Sequence, residues 1–540
     1  MEIELKLSLE PAAVAALRGH PLLAHYRQRR PRSRQVDNEY HDTPELDLWR
    51  HGLELRLRRL GGRAPQTHLQ TLKVLRSPGA GDRAPGGLHR LDEWEVPLGR
   101  AALDIPALLD GLPPSAADVA QRVRKAAAHP LFGPRVRTHY RRTTWPLMSA
   151  QGDLVELALD LGEVRADGHV LPLCEVELEL LGGEESALFE LAHALQSGLP
   201  LRLERRGKAE RGYALLAQRP AAAPRLAKAV PLVPTTPWAD ALRAIVEECL
   251  AQVQGNEAGV IESTDAEYVH QMRIGLRRLR SALGLFKEFA APPPAVLAGL
   301  RWSAEQLGEA RDAEVLAHET LARVAAPTGP KELEIGWPGL LAAMLAAAEA
   351  ARQQAVRAVR TPRHQGWQLA LMAWVCGLSS SAPQAGKAAE HTAPAAGGDA
   401  PVSLPAFAQR RLQRLRKRLV RDGRHLQDVD ASARHDARVV AKKLRYATEM
   451  LGALQPGHRD GRGRHGRHRL RALAALQQQL GLLNDAEVAA ERLTRLAARS
   501  SAQSPALAPA AAYALGWLAA DAEQRVRRLG RVWRRVREEL

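Results

Sequence analysis

Cysteine, aromatic residues and long apolar runs are all scarce in this chain, and each scarcity excludes something. The three cysteines, Cys174, Cys249 and Cys376, lie far apart and form no CxxC pair. That excludes a disulfide framework and a thiolate zinc cluster, and it suits a reducing compartment. Aromatics are 4% of the residues, too few to interleave with basic side chains as base-stacking platforms. The longest apolar stretches, around Leu369–Leu378 and Leu340–Leu345, fall short of the ~20 residues that span a bilayer. No membrane contact is therefore expected. The opening residues Met1, Glu2, Ile3 and Glu4 carry neither the basic nor the apolar region of a secretory signal, so a cytoplasmic location is expected. A GxxxxGK[ST] loop is absent, which excludes a Walker-type NTPase.

What is present is charge, unevenly placed. Residues 1–216 hold 30 Lys+Arg against 29 Asp+Glu, leaving 47 against 31 for residues 217–540. The basic excess belongs to the C-terminal part, and a field of that sign selects polyanions. Residues 1–216 read as strands with period-two alternation between Gly, Pro and Asp turns. Residues 217–235 are rich in Pro and Ala and read as a linker, and 236–540 reads as helical. Two interruptions, Ser379–Pro405 and Gln455–Arg469, are expected as loops.

On a strand, residues two apart share a face. Glu2, Glu4 and Lys6 therefore oppose Ile3, Leu5 and Leu7. The pattern recurs: Glu54, Arg56 and Arg58 oppose leucines, and so do Glu156 and Asp160. Glu93 and Glu95 oppose Trp94 and Val96, and Glu175, Glu177 and Glu179 oppose Val176, Leu178 and Leu180. Any one such strand is an ordinary solvated sheet face. Their repetition points to a closed barrel whose charged faces converge on one lumen. Clustered carboxylates repel unless a cation neutralises them, and Mg²⁺ and Mn²⁺ prefer such hard oxygen ligands. Neighbouring Arg and Lys would hold an anion beside the metal, the arrangement that phosphoryl transfer requires.

Glu2-Ile-Glu4-Leu-Lys6 resembles the ExExK signature of the CYTH superfamily, the triphosphate tunnel metalloenzymes. The resemblance continues through Leu55-Arg56-Leu-Arg58, Thr71-Leu-Lys73, Glu93-Trp-Glu95, Tyr140-Arg141, Leu159-Asp160, Cys174-Glu175-Val-Glu177-Leu-Glu179 and Lys208-Ala-Glu-Arg211. It implies an antiparallel eight-stranded β-barrel forming a tunnel. It also implies Mg²⁺ or Mn²⁺ held by Glu2, Glu4, Asp160, Glu175 and Glu177, and a triphosphate held by Lys6, Arg56, Arg58, Lys73, Arg141, Lys208 and Arg211. Glu2, Glu4, Lys6 and Asp160 are the expected catalytic group, with Asp160 or a second metal activating water. Glu93 and Glu95 would orient those cations or join a second metal site. Glu163 and Glu179 lie in the same motifs and receive no ligand role.

The helical part repeats itself. His270-Gln-Met-Arg273-Ile-Gly-Leu-Arg277-Arg-Leu-Arg280 is matched by His435-Asp-Ala-Arg438-Val-Val-Ala-Lys442-Lys-Leu-Arg445. Each is followed by a second matched segment, at Leu307–Val315 and at Leu480–Val488. Offsets of 0, 3, 7 and 10 fall on one helical face, so each row is a basic stripe, with Asp312 and Asp485 as candidate partners. A polyanion would relieve the repulsion within a stripe. These motifs resemble the CHAD domain, a module often found after CYTH. That resemblance implies inorganic polyphosphate bound by His270, Arg273, Arg277, Arg280, His435, Arg438, Lys442 and Arg445 between two helical bundles, here about 236–378 and 406–540.

The whole resembles a CYTH–CHAD inorganic triphosphatase, a hydrolase that splits tripolyphosphate into diphosphate and phosphate. Adenylyl cyclase and thiamine or nucleoside triphosphatase remain open within the same superfamily. A catalytically idle polyphosphate scaffold is the alternative from another class. Nucleic acid is not an expected partner.

Overall fold

In the computed structural model, the described residues are 2–61, 67–75, 87–216, 223–328, 330–379, 403–455, 464–500 and 507–540. They divide into two compact units: Met1–Arg225 with Thr361–Leu378, and Leu226–Arg360 with Ser379–Leu540.

The first unit is built on antiparallel strands. They are β1 (Glu2–Ser8), β2 (Arg32–Asp42), β3 (Leu53–Gly61), β4 (Thr67–Leu75), β5 (Leu88–Leu98), β6 (Gly133–Met148), β7 (Leu154–Ala166) and β8 (His169–Gly182). The order is β5-β4-β3-β2-β6-β7-β8-β1, and β1 pairs back onto β5, closing an eight-stranded barrel. A two-residue β9 (Arg202–Leu203) flanks β1. Alternation sends the leucines outward, against helices. Leu53, Leu55 and Leu72 pack on Leu48, Leu108 and Val123 from the segments after β2 and β5. Each fully buried leucine contributes about 1.5–3 kcal/mol relative to exposure, so the outer face drives closure and the charged face is left inside. Helix Lys208–Leu216 lies against β6 and β7, with Tyr213 stacked on Trp49.

Helix Pro362–Cys376 also belongs to this unit, although it sits within the stretch expected to form the helical module. It packs on helix Ser186–Gln196, and Gln365 Oε1 accepts from the Leu203 amide at 2.7 Å. Trp367, Leu369, Leu371, Met372 and Val375 are all buried.

The second unit holds two sets of four helices. The first is Trp238–Glu262, Ala266–Leu285, Pro294–Glu314 and Lys331–Val359; the second is Leu404–Asp422, Ala431–Leu451, Arg464–Ser500 and Leu507–Glu539. The two basic repeats start alike. Asp265 and Asp430 cap their helices by accepting from the Glu267 and Ala433 amides. Within Lys331–Val359, the segment Leu333–Val359 is long and apolar enough by composition to cross a membrane, a test that the core helix of a bundle also passes. This corrects the expectation that every apolar run is too short. Its Leu340 and Met344 pack on Ala510, Ala511, Ala514 and Leu518 inside the bundle.

The expected linker 217–235 has no helix or strand over 223–235, and 217–222 lie outside the described residues. Of the expected loops, 380–402 and 456–463 also lie outside them. The helix beginning at Arg464 shortens the second loop, because Arg and His tolerate a helical start without any apolar residue.

Candidate active site

The barrel encloses an open cavity of about 640 Å³, lined by side chains from β1 to β8 and by Lys208. Register decides what meets what. Across β1 and β8, Glu4 faces Glu179 and Lys6 faces Glu177. Lys73 faces Glu54 on one side and Glu93 on the other. Arg142 faces Asp160, which faces Glu175.

Much of this charge is already paired. Lys208 Nζ contacts Asp160 Oδ2 and Glu177 Oε1, each at 2.8 Å, and also Glu175. Arg142 donates to both oxygens of Asp160 (2.8 and 2.6 Å) and to Glu177. Arg211 holds Glu175 from behind the wall. Lys6 Nζ lies 2.5 Å from Glu177 and 2.7 Å from Glu4. Burial alone would push Glu177 up, but Lys208, Lys6 and Arg142 hold it well below the usual carboxylate range. Asp160 is likewise lowered, by Arg142 and Lys208 against its burial. Glu93 contacts Lys73 (2.9 Å) and Arg56 (3.0 Å). Against burial, a hydrogen bond with Glu2 and these two cations hold it at about 2.

Two poles are left over. Arg58 donates to Asn38 Oδ1 at 2.9 Å and, among the described residues, has no carboxylate partner. Burial, then Arg56 and Arg142, pull its pKa down, the mark of a cation crowded by cations. At the other pole, Glu179 is pushed up to about 7 by burial and then by Glu2, Glu4 and Glu156. Like charges held this close favour a cation. Oxygens of Asp160, Glu175 and Glu177 also lie within 4.8 Å of one another, but Lys and Arg already neutralise that group. Both carboxylate groups offer oxygen donors that suit a divalent cation such as Mg²⁺ or Mn²⁺, and in both a basic side chain stands close: Lys73 lies 2.6 Å from Glu2 and Lys6 2.7 Å from Glu4, as Lys208 lies 2.8 Å from Asp160.

The helical unit has a cationic group of its own. Arg273 Nη1 contacts Asp312 at 3.3 Å and donates to the Leu307 carbonyl at 3.2 Å. A Cβ on Gly308 would lie 3.1 Å from that nitrogen, and one on Gly481 would lie 3.9 Å from Arg438 Nη2. At Gly308 the missing side chain lets the Arg273 guanidinium lie close against the facing helix, whereas a Cβ at Gly481 would meet Arg438 at ordinary contact distance. Lys442 is pulled down to about 7 by burial and then by Arg438, Arg277 and Arg273. The two repeats therefore share one electrostatic site. His435 Nδ1 lies 3.3 Å from Asn484 Oδ1.

Comparison with known proteins agrees with both halves. Residues 1–213 match the family model of the CYTH domain, and residues 244–494 match that of the CHAD domain. The chain belongs to the CYTH–CHAD domain proteins. It is 28% identical over 214 residues to an inorganic triphosphatase of Haemophilus influenzae, covering 40% of this chain and 54% of the relative. It is 31% identical over 300 residues to an uncharacterized protein of Mycobacterium tuberculosis, covering 53% of this chain and 52% of the relative. The chain thus spans about half the length of the curated relatives it matches. A crystal structure of the CHAD domain from Ricinus communis is 33% identical, with 58% of this chain and 96% of that chain covered and a TM-score of 0.48.

In the CYTH domain, Glu2, Glu4, Lys6, Arg56, Arg58, Lys73, Glu177 and Lys208 all line the tunnel. Asp160 and Glu175 are fully buried within its wall. Arg141 is a correction. It is exposed on the outer face of β6, and Arg142 takes the inward place. Strand parity decides this, since Thr138 and Tyr140 point inward and the residue two further on must follow. Sequence reasoning also left Glu179 and Glu156 without a role, and missed His89 altogether. In the CHAD domain, Arg273, Arg277, Arg438 and Lys442 are mutually close, and Arg311 joins them. Arg280 is exposed, and Arg445 is bound to Glu449 (2.8 Å) and Gln477 (3.1 Å). Each is the last member of its row.

Proposed function

We propose that the CYTH tunnel hydrolyses inorganic triphosphate to diphosphate and phosphate with Mg²⁺ or Mn²⁺, and that the CHAD domain binds inorganic polyphosphate. The observation that carries this reading is the pair of unneutralised poles in one tunnel. A bare anion would relieve only Arg58, and a bare cation only Glu179; a metal–triphosphate complex relieves both. The name of the Haemophilus relative supports the same substrate. So does the lining, whose aliphatic members among the described residues are Leu75, Leu88 and Leu91, a small apolar surface for a purine.

Glu2, Glu4 and Glu179 would hold the cation. When bound, it supplies charge screening at the phosphoryl group and polarises its oxygens. Arg58, Arg56, Lys73 and Arg142 would align the phosphate chain, their positions fixed by Asn38, Glu93 and Asp160. Asp160 acts as a counter-ion in this arrangement, since Arg142 occupies both its oxygens.

A substrate panel tests the proposal: tripolyphosphate, ATP and thiamine triphosphate, each with Mg²⁺ and with Mn²⁺. Fastest turnover of tripolyphosphate is expected. Cyclic AMP formation that outpaces it would overturn the substrate assignment, and no turnover of any triphosphate would leave a binding scaffold.

A further inference from the structure

Helix Lys331–Val359 buries one face and leaves another open. Trp337, Leu340 and Met344 pack inside the bundle, yet only 28% of the helix's most apolar window is buried. No charged residue occurs between Glu334 and Glu349. Ile335 and Leu345 are 71% and 45% exposed, and Pro338 and Ala342 are exposed between them. Apolar surface grouped in this way marks a contact site, unlike singly scattered exposed residues.

The open face is ordered. Lys331, Ile335, Pro338, Ala342, Leu345 and Glu349 are all exposed, and their spacing alternates between four residues and three. At about 100° per residue they fall within about 80° of arc. That spacing is the a/d seam by which one helix packs on another. The seam is also self-complementary when read backwards. Against a second copy running antiparallel, with the two-fold axis level with Leu340, Lys331 meets Glu349 of the second copy, Ile335 meets its Leu345, and Pro338 meets its Ala342. The same three pairs recur across the axis, the isologous arrangement of a two-fold dimer. A parallel pairing would instead set Lys331 on Lys331 and Glu349 on Glu349, which repel. Glu349 is already held in place by Arg352 at 2.8 and 2.9 Å and by Gln353 at 2.7 Å. A bilayer surface fits this face less well. A helix lying on anionic lipid carries Lys and Arg beside its apolar face, and no Lys or Arg stands between Lys331 and Arg352.

We infer that this helix is the interface of an antiparallel homodimer, sealed by Ile335 and Leu345 and set in register by Lys331 and Glu349. The inference is independent of the tunnel's substrate. The seam is about 27 Å long, which places the contact at the small end of specific interfaces, so a dissociation constant of about 1–50 µM is expected.

Sedimentation equilibrium of the full chain over about 1–200 µM tests it. A mass approaching twice that of the chain is expected at the top of the range. Leu345→Glu and Ile335→Glu fall at exposed positions, so circular dichroism should be unchanged while the dimer dissociates. Lys331→Glu alone and Glu349→Lys alone each replace two attractions with two repulsions and should weaken association by about tenfold. The double reversal should return to within about threefold of the unsubstituted chain. A chain that is monomeric throughout overturns the inference, as does a dimer indifferent to Leu345→Glu or a double reversal as weak as its singles. Co-sedimentation of a monomeric chain with phosphatidylcholine–phosphatidylglycerol vesicles, lost in Leu345→Glu, overturns it in favour of a bilayer.

Discussion

Lys208→Met removes a cation shared by three carboxylates of the barrel wall, Asp160, Glu175 and Glu177. Lys208 Nζ is 2.8 Å from both Asp160 and Glu177, also touches Glu175, and its side chain is 7% exposed. At an effective dielectric constant of about 20, each 2.8 Å pair is worth roughly 6 kcal/mol before desolvation is subtracted. Lys6, Arg142 and Arg211 remain after the substitution, so most of that gross figure is retained by other pairs. Breaking one buried pair costs about 3–5 kcal/mol in comparable cases, and that range is expected here. At about 1.4 kcal/mol per tenfold, amide protection of peptides spanning Leu154–Gly182 should fall by roughly 10²–10⁴-fold in native-state hydrogen exchange. Glu175→Gln in the same chain should restore part of the loss, because burial already raises the Glu175 pKa. Protection in Lys208→Met within about fivefold of the unsubstituted chain, or strictly additive effects in the pair, would refute the idea that these charges hold the wall together.

Arg142→Ala should abolish tripolyphosphate turnover, while Arg141→Ala leaves it near the unsubstituted value; steady-state kinetics decide. Glu179 titrates near 7 in the folded tunnel, above its ordinary range, so the apo barrel loses stability as pH rises from about 4.5 to 7, when this carboxylate becomes charged. A cation favours the charged form, so Mg²⁺ should raise the melting temperature more at about pH 8 than at about pH 6. Lys442 is held near 7, below its ordinary value, so the folded form disfavours its charge and stability rises with pH between about 7 and 10.5. Polyphosphate should restore that charge. Calorimetry in buffers of differing ionisation enthalpy should show proton uptake at about pH 8, and Lys442→Met should remove it. A fragment ending at Arg225 lacks helix Pro362–Cys376, so it should bind a hydrophobic dye and melt below the barrel of the full chain.

The strand half was legible because its alternation is strict. Glu2, Glu4 and Lys6 could share only one face, and a barrel was the one way to bring the other charged faces to meet it. Parity failed where two arginines stand side by side. Arg141 and Arg142 look alike in sequence, and only the inward placement of Tyr140 in the lumen wall makes the choice. His89 did carry a signal, since it shares parity with Glu93 and Glu95 on one strand. The glutamate run gave no sign of where the lumen ends, so Glu179 received no role. Helix Pro362–Cys376 falls within the residues that match the CHAD model, yet it packs with the first unit. Its sequence sets Arg363, His364, Gln365 and Gln368 among the apolar residues, so no one-sided stripe says which neighbours enclose it. The duplicated basic rows located the CHAD cluster well, but periodicity could not say that the outer members, Arg280 and Arg445, lie away from its centre.

Phosphate release from tripolyphosphate by the full chain, compared with Glu4→Gln under the same Mg²⁺ concentration, tests the account most directly. Metal-dependent turnover is expected in the first, its loss in the second, and unchanged polyphosphate binding in both. Equal phosphate release by the two chains, or release without any divalent cation, would contradict it.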